Sequence, residues 1–180
     1  MTGLEEMDEM EELVIGIDLS DTYTKINCFE EEKSWTVPTV ICKKKQEDKW
    51  YVGKEAYGLV LTGTGIIVDK LLSLVMKDGT ATIEGVKYTA GELLEKFLRE
   101  VLKLPAEEYG TDRIAQLAIS LAKVDGRIMD VLLWCADGLN LSRQRLHVAS
   151  HTESFVYYAM SQKKEVWATQ VGLFDLSDEG

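Results

Sequence analysis

The sequence predicts an α/β domain built on one mixed sheet, with an antiparallel meander first and parallel strands added later. Three stretches predict it. Leu13–Phe29, LVIGIDLSDTYTKINCF, reads as an apolar strand, a polar turn over Ser20 to Thr22 and a returning strand. Ser34–Cys42, SWTVPTVIC, adds a third strand, with an edge or bend at Pro38, which cannot donate to a sheet ladder. From Ile114 the order strand, helix, strand, helix implies parallel strands joined to that meander.

At 180 residues the chain is one domain or one large lobe, long enough to bury a real core. Its mean hydropathy of -0.09 and only 2 prolines are those of a globular protein. A formal net charge of -11 excludes a nucleic-acid surface, because phosphate backbones are held by Lys and Arg patches. The one basic run, Lys43 to Lys45, reads as a solvated strand end. Cys28, Cys42 and Cys135 are odd in number, lack metal-ligand spacing and sit in apolar patterns, so they are read as reduced core residues of a cytoplasmic protein. No secretory leader is expected in the acidic Met1 to Glu12, and no apolar run reaches membrane-spanning length.

Taken in order, residues 1–12 are an acidic leader expected to be disordered, 13–164 form the main lobe, and 165–180 begin a second, truncated one. Lys49 to Val52 is a short aromatic strand, and GKEAYGLVL has helical spacing interrupted by Gly53 and Gly58. Thr62 to Gly65, TGTG, is a turn leading into a helix on which Ile67, Leu71, Leu74 and Val75 share a face. It is no P-loop, since no Gly-Lys-Ser/Thr follows. A hairpin turning at Glu84-Gly85 comes next, and Thr89 with Glu92 forms a capping box for a helix expected to stop before Pro105. Ile114 to Leu121 is a strand, Asp125 to Asp137 a helix closed by Gly138, and Arg145 to Ala149 a strand. Thr152-Glu153 opens a helix to about Gln162. Val166 to Leu176 is strand-like and ends in a polar turn without a return strand, which suggests an excised piece of a longer protein.

Asp18 is the residue that calls for chemistry, an acid at the end of an otherwise apolar strand; its structural alternative is a turn-capping role. His147 and His151 are the only histidines, with no Cys or third His to complete a zinc spacing. No serine stands in a Gly-x-Ser-x-Gly context and no cysteine has a recognisable base, which argues against a hydrolase triad.

The opening VIGIDLSDTYTKI resembles the first phosphate loop of the actin, sugar kinase and seventy-kilodalton heat-shock chaperone ATPase superfamily, and GLFDLSDEG resembles its second. Between them TVPTVI, VGKEA, IIVDKLLSL, LAISLAKVDGRIMDVLLWCADGLNL and SHTESFVYYAM follow that superfamily's order. The resemblance implies a ribonuclease H-like lobe, with a five-stranded mixed sheet and helices packed on it. It also implies a nucleotide cleft completed by a second lobe, with ATP and Mg²⁺ as cofactors. Carried over residue by residue, Asp18 and Asp175 would be the metal-site carboxylates, Lys70 a lysine directed at the transferred phosphate, and Ser20, Asp21, Thr22 and Ser177 the phosphate-loop residues.

The departures from that pattern are acidic. Gly-Thr becomes Ser20-Asp21, Gly-Gly-Gly-Thr becomes Ser177-Asp178-Glu179-Gly180, and Glu-Pro-Thr-Ala-Ala becomes Ser150-His151-Thr152-Glu153-Ser154. A carboxylate about 4 Å from one phosphate charge costs about 4 kcal/mol at an effective dielectric of 20, about a thousandfold in affinity. Two functions follow. The favoured one is a pseudo-ATPase kept as an interaction module, in which ATP and Mg²⁺ have been lost; the alternative is the N-terminal lobe of an active Mg-ATP-dependent ATPase. The expected partner is a protein or a second copy, with no nucleic acid and no membrane, because Val166 to Leu176 either pairs with another copy or folds back on its own lobe.

Overall fold

The computed structural model describes residues 12–29 and 33–161. The acidic leader and the strand-like Val166 to Leu176 lie outside them.

Leu13–Leu19 (β1) buries every second residue, Leu13, Ile15, Ile17 and Leu19, as a strand with one face on the core must. It pairs antiparallel with Tyr23–Cys28 (β2), and β2 pairs antiparallel with Ser34–Pro38 (β3). The expected meander is present, and the chain bends at Pro38 and Thr39 before continuing as Val40–Lys44 (β4). Thr39 donates its N–H to Thr22 O at 3.0 Å, and its buried hydroxyl meets that of Thr24 at 2.8 Å. Each buried hydroxyl therefore has a partner, which removes the penalty for enclosing it.

Beyond the bend a second, three-stranded sheet forms, with β4 between Trp50–Val52 (β5) and Gly65–Asp69 (β6). The helix Gly53–Leu61 (α1) packs on it. Here the structure corrects the sequence reading. Ile66 to Val68 are strand residues paired with Lys43 to Ile41, and only Leu71–Met76 (α2) is helical. The β-branched run favours the extended state once β4 offers a ladder. Lys70, at φ +52°, breaks strand from helix. The last glycine of TGTG has a packing reason: a Cβ on Gly65 would lie 2.7 Å from Leu59 Cβ and closer still to Cys42 Sγ.

Thr80–Ile83 (β7) and Val86–Thr89 (β8) form the expected hairpin. Thr89 and Glu92 make the full capping box of Ala90–Tyr109 (α3). That helix does not stop before Pro105 but runs through it for four more residues. Pro105 is buried, and Tyr109 beyond it packs edge-on against Trp35 of β3, contacts that offset the lost N–H.

Ile114–Leu121 (β9) pairs parallel with β1, and Leu146–Ser150 (β10) pairs parallel with β9. The main sheet is thus a five-stranded mixed sheet in the order β10, β9, β1, β2, β3. Helix Gly126–Gly138 (α4) starts where the Asp125 carboxylate accepts from Ile128 N at 3.1 Å. Gly138 is its last residue, and the left-handed residue lies beyond, at Asn140. With α2 and α3, α4 covers the face of the sheet that carries Ile15, Ile17, Leu117 and Ile119, while His151–Ser161 (α5) lies toward the opposite face.

All three cysteines are buried, and burial pushes the Cys135 thiol up to about 12, so it packs as a small inert hydrophobe. Among the described residues no helix is long and apolar enough to cross a membrane.

Candidate functional site

Parallel pairing sets the location of the site. Because β1, β9 and β10 run the same way, their carboxyl ends share one edge of the sheet, where open α/β sheets hold ligands. Asp18, Ser20, Asp21 and Thr22 stand at the end of β1, and His151 follows the end of β10.

The β1–β2 turn is closed on itself. Ser20 Oγ accepts from Thr22 N at 3.3 Å and from Tyr23 N at 3.2 Å, and donates to Tyr23 O at 2.9 Å. Ser20 N completes the turn on Tyr23 O at 3.3 Å. A phosphate loop leaves such amides free to point at an anion; here a side-chain oxygen occupies that position, a serine turn of ordinary kind. Thr22 contributes its carbonyl to Thr39, while its own side chain stays exposed.

Asp21 leaves the turn and reaches the start of α2. Its Oδ1 accepts from Leu72 N at 2.8 Å and Ser73 N at 3.1 Å, and Oδ2 takes Ser73 N at 3.2 Å together with the Ser73 hydroxyl. Lys70, immediately before α2, has a left-handed backbone that offers no side-chain cap. A carboxylate from elsewhere in the chain supplies it instead, satisfying donors that a helix start leaves bare. Lys70 is exposed and has no carboxylate partner among the described residues.

Asp18 points from the other face of β1. Register places Lys25 and Ser120 beside it on β2 and β9. Its Oδ1 takes a hydrogen bond from His151 Nε2 at 2.8 Å. His151 Nδ1 is buried with no hydrogen-bond partner among the described residues, so the ring carries its proton on Nε2 and donates to the carboxylate. The ring is placed by a second capping box. Ser150 Oγ accepts from Glu153 N at 3.1 Å, and the Glu153 carboxylate accepts Ser150 N at 2.8 Å. Those bonds from Ser150, the backbone one first, hold the Glu153 carboxyl below its ordinary range.

Of the sequence-predicted residues, Asp18, Ser20, Asp21 and Thr22 are together at one strand end, with Lys70 next to the helix that Asp21 caps. Asp175 and Ser177 lie outside the described residues. His151, which in the sequence stands out only as a histidine without a zinc spacing and as part of the Ser150 to Ser154 departure, is the site residue with no role assigned from sequence. Its signal was topological: strands in parallel bring the residue after β10 to the end of β1, across 133 positions.

Among the described residues, most of the groups that a magnesium phosphate would use already have partners within the chain. The turn amides are bonded to Ser20, both Asp21 oxygens to α2, and one Asp18 oxygen to His151. No group of three or more His, Cys, Asp or Glu among them is placed to hold a metal ion. The Asp18–His151 bond instead ties α5 to the sheet. Asp18→Ala is expected to cost about 0.5–1.5 kcal/mol, the net worth of a part-buried hydrogen bond. Hydrogen exchange checks it: α5 amides should lose protection while β1 and β9 keep theirs, and Asp18→Asn, which still accepts from Nε2, should lose less.

No curated protein matches the chain. A family model described as the C-terminal part of a family of unknown function, DUF5716, matches residues 22–180. That match takes in β2 through α5 and runs to the last residue. The chain therefore belongs to the DUF5716 C-terminal family.

Proposed function

We propose that this chain is a degenerate nucleotide-binding lobe of the actin-like and chaperone-like type, acting in the cytoplasm as a pseudo-ATPase interaction module. The observation that carries it is the β1–β2 turn, whose Thr22 and Tyr23 amides both point at Ser20 Oγ. An incoming phosphate would have to displace that oxygen and compete with Asp21 for a position beside α2. The mixed five-stranded sheet supports the likeness to a ribonuclease H-like lobe. The buried thiols of Cys42 and Cys135 support a reducing compartment. Tyr157, Tyr158 and Met160, exposed on α5, support a protein partner or a second copy over a nucleic acid.

Calorimetric titration of the complete protein with ATP, with and without Mg²⁺, is the test. No heat at millimolar nucleotide is the expected result. Tight, magnesium-dependent binding would overturn the pseudo-ATPase reading in favour of an active Mg-ATP lobe, in which Asp18 lets go of His151 to meet the metal.

A further inference from the structure

Beyond the carboxyl ends of β1 and β9 lies a cavity of about 320 Å³, between α2 and the start of α4. Leu72, Met76, Leu121 and Ile128 give it apolar walls. Leu121 and Ile128 belong to the core, whereas Met76 is 40% exposed, an apolar side chain left at the surface of the cavity.

Its lining brings two lysines to one place. Lys77 and Lys123 both line the cavity, and neither has a carboxylate partner among the described residues. Lys33, Lys43, Lys44 and Lys103 each pair with a glutamate, whereas these two share one cavity with their charges open to a ligand. The one acid in the lining, Asp21, has its oxygens turned to two amides and a hydroxyl of α2, which offsets its charge locally. Apolar walls with a few placed charges are what small-molecule sites consist of.

We propose that this cavity binds a compact organic anion: a carboxylate, sulfonate or phosphate head held by Lys77 and Lys123, on an aromatic or branched aliphatic body seated against Leu72, Met76, Leu121 and Ile128. The inference stands apart from the pseudo-ATPase reading, since it uses neither the β1–β2 turn amides nor Asp18.

A matched pair of fluorescent probes tests it on the full chain. 1-Anilinonaphthalene-8-sulfonate carries the anionic head, and N-phenyl-1-naphthylamine has the same body without it. The sulfonate is expected to bind at one site and at least about fivefold more tightly than the neutral probe. Lys77→Gln with Lys123→Gln should remove that advantage while leaving the neutral probe unchanged. Both lysines are exposed, so the double variant is expected to keep its circular dichroism and melting temperature. Ala122→Trp, which fills the cavity from its lining, should weaken both probes. Equal affinity of the two probes, sulfonate binding untouched by the lysine pair, or several weak sites in place of one would each overturn the proposal.

Discussion

Phe97→Ala is expected to lower the unfolding free energy by about 3–5 kcal/mol, a large part of the roughly 5–15 kcal/mol that domains of this size possess. Phe97 is fully buried, on the stripe of α3 that also carries Leu93, Leu94, Leu98 and Val101. That helix touches β4 and β5 of the small sheet, the hairpin strand β8, and helices α2 and α4. A cavity at its centre therefore loosens the small sheet and the hairpin sheet at once and cannot be absorbed by moving a single neighbour. Urea denaturation followed by circular dichroism measures it. The midpoint should fall by the full amount for alanine and by much less for Phe97→Leu, which keeps most of the volume. A loss below about 1 kcal/mol would mean that α3 is not the element on which the two sheets are assembled.

What could be read from the sequence was local. The alternation in β1, the Glu84-Gly85 hairpin and the Thr89–Glu92 box each lie within a few residues, and each is present. The order of strands and helices after Ile114 was enough to foresee parallel pairing. Two misreadings have a common cause. Ile66 to Val68 fit a helical face as well as a strand, and only β4, more than twenty residues earlier, decides between them. Pro105 is a good stop signal unless the next turn has somewhere to pack, and Tyr109 finds Trp35 seventy-odd residues away.

The site divides along the same line. Asp18 stood out because a lone acid ending an apolar strand is locally odd, but its partner, His151, is invisible without the topology. Ser20 was seen as a missing glycine; its hydroxyl is folded back to accept from Thr22 N and Tyr23 N. Asp21 was seen as a source of repulsion toward phosphate. In the folded chain the same carboxylate has a constructive use, which the sequence could not show because α2 begins fifty residues later.

That use makes Asp21→Ala the most informative change at the site. Removing the carboxylate bares Leu72 N, Ser73 N and the Ser73 hydroxyl at the start of a six-residue helix. Loss of a cap costs about 0.5–2 kcal/mol, and partly buried donors left unmet add to it, so a total of about 2 kcal/mol is expected. For a chain of this length that is a fall of about 4–8 °C in melting temperature. Exchange of the Leu72 and Ser73 amides should rise with it, and Asp21→Ser, which can still cap, should recover part of the loss. The same variant separates two accounts of the turn. If repulsion by Asp21 were what kept phosphate out, Asp21→Ala would gain about a thousandfold in affinity for Mg-ATP despite its lower stability. If Ser20 closes the turn, as the hydrogen bonds to Thr22 N and Tyr23 N indicate, the variant melts earlier and still shows no heat with nucleotide. Adding Ser20→Gly to Asp21→Ala then becomes the change that opens the amides, and only the double variant should gain affinity for Mg-ATP.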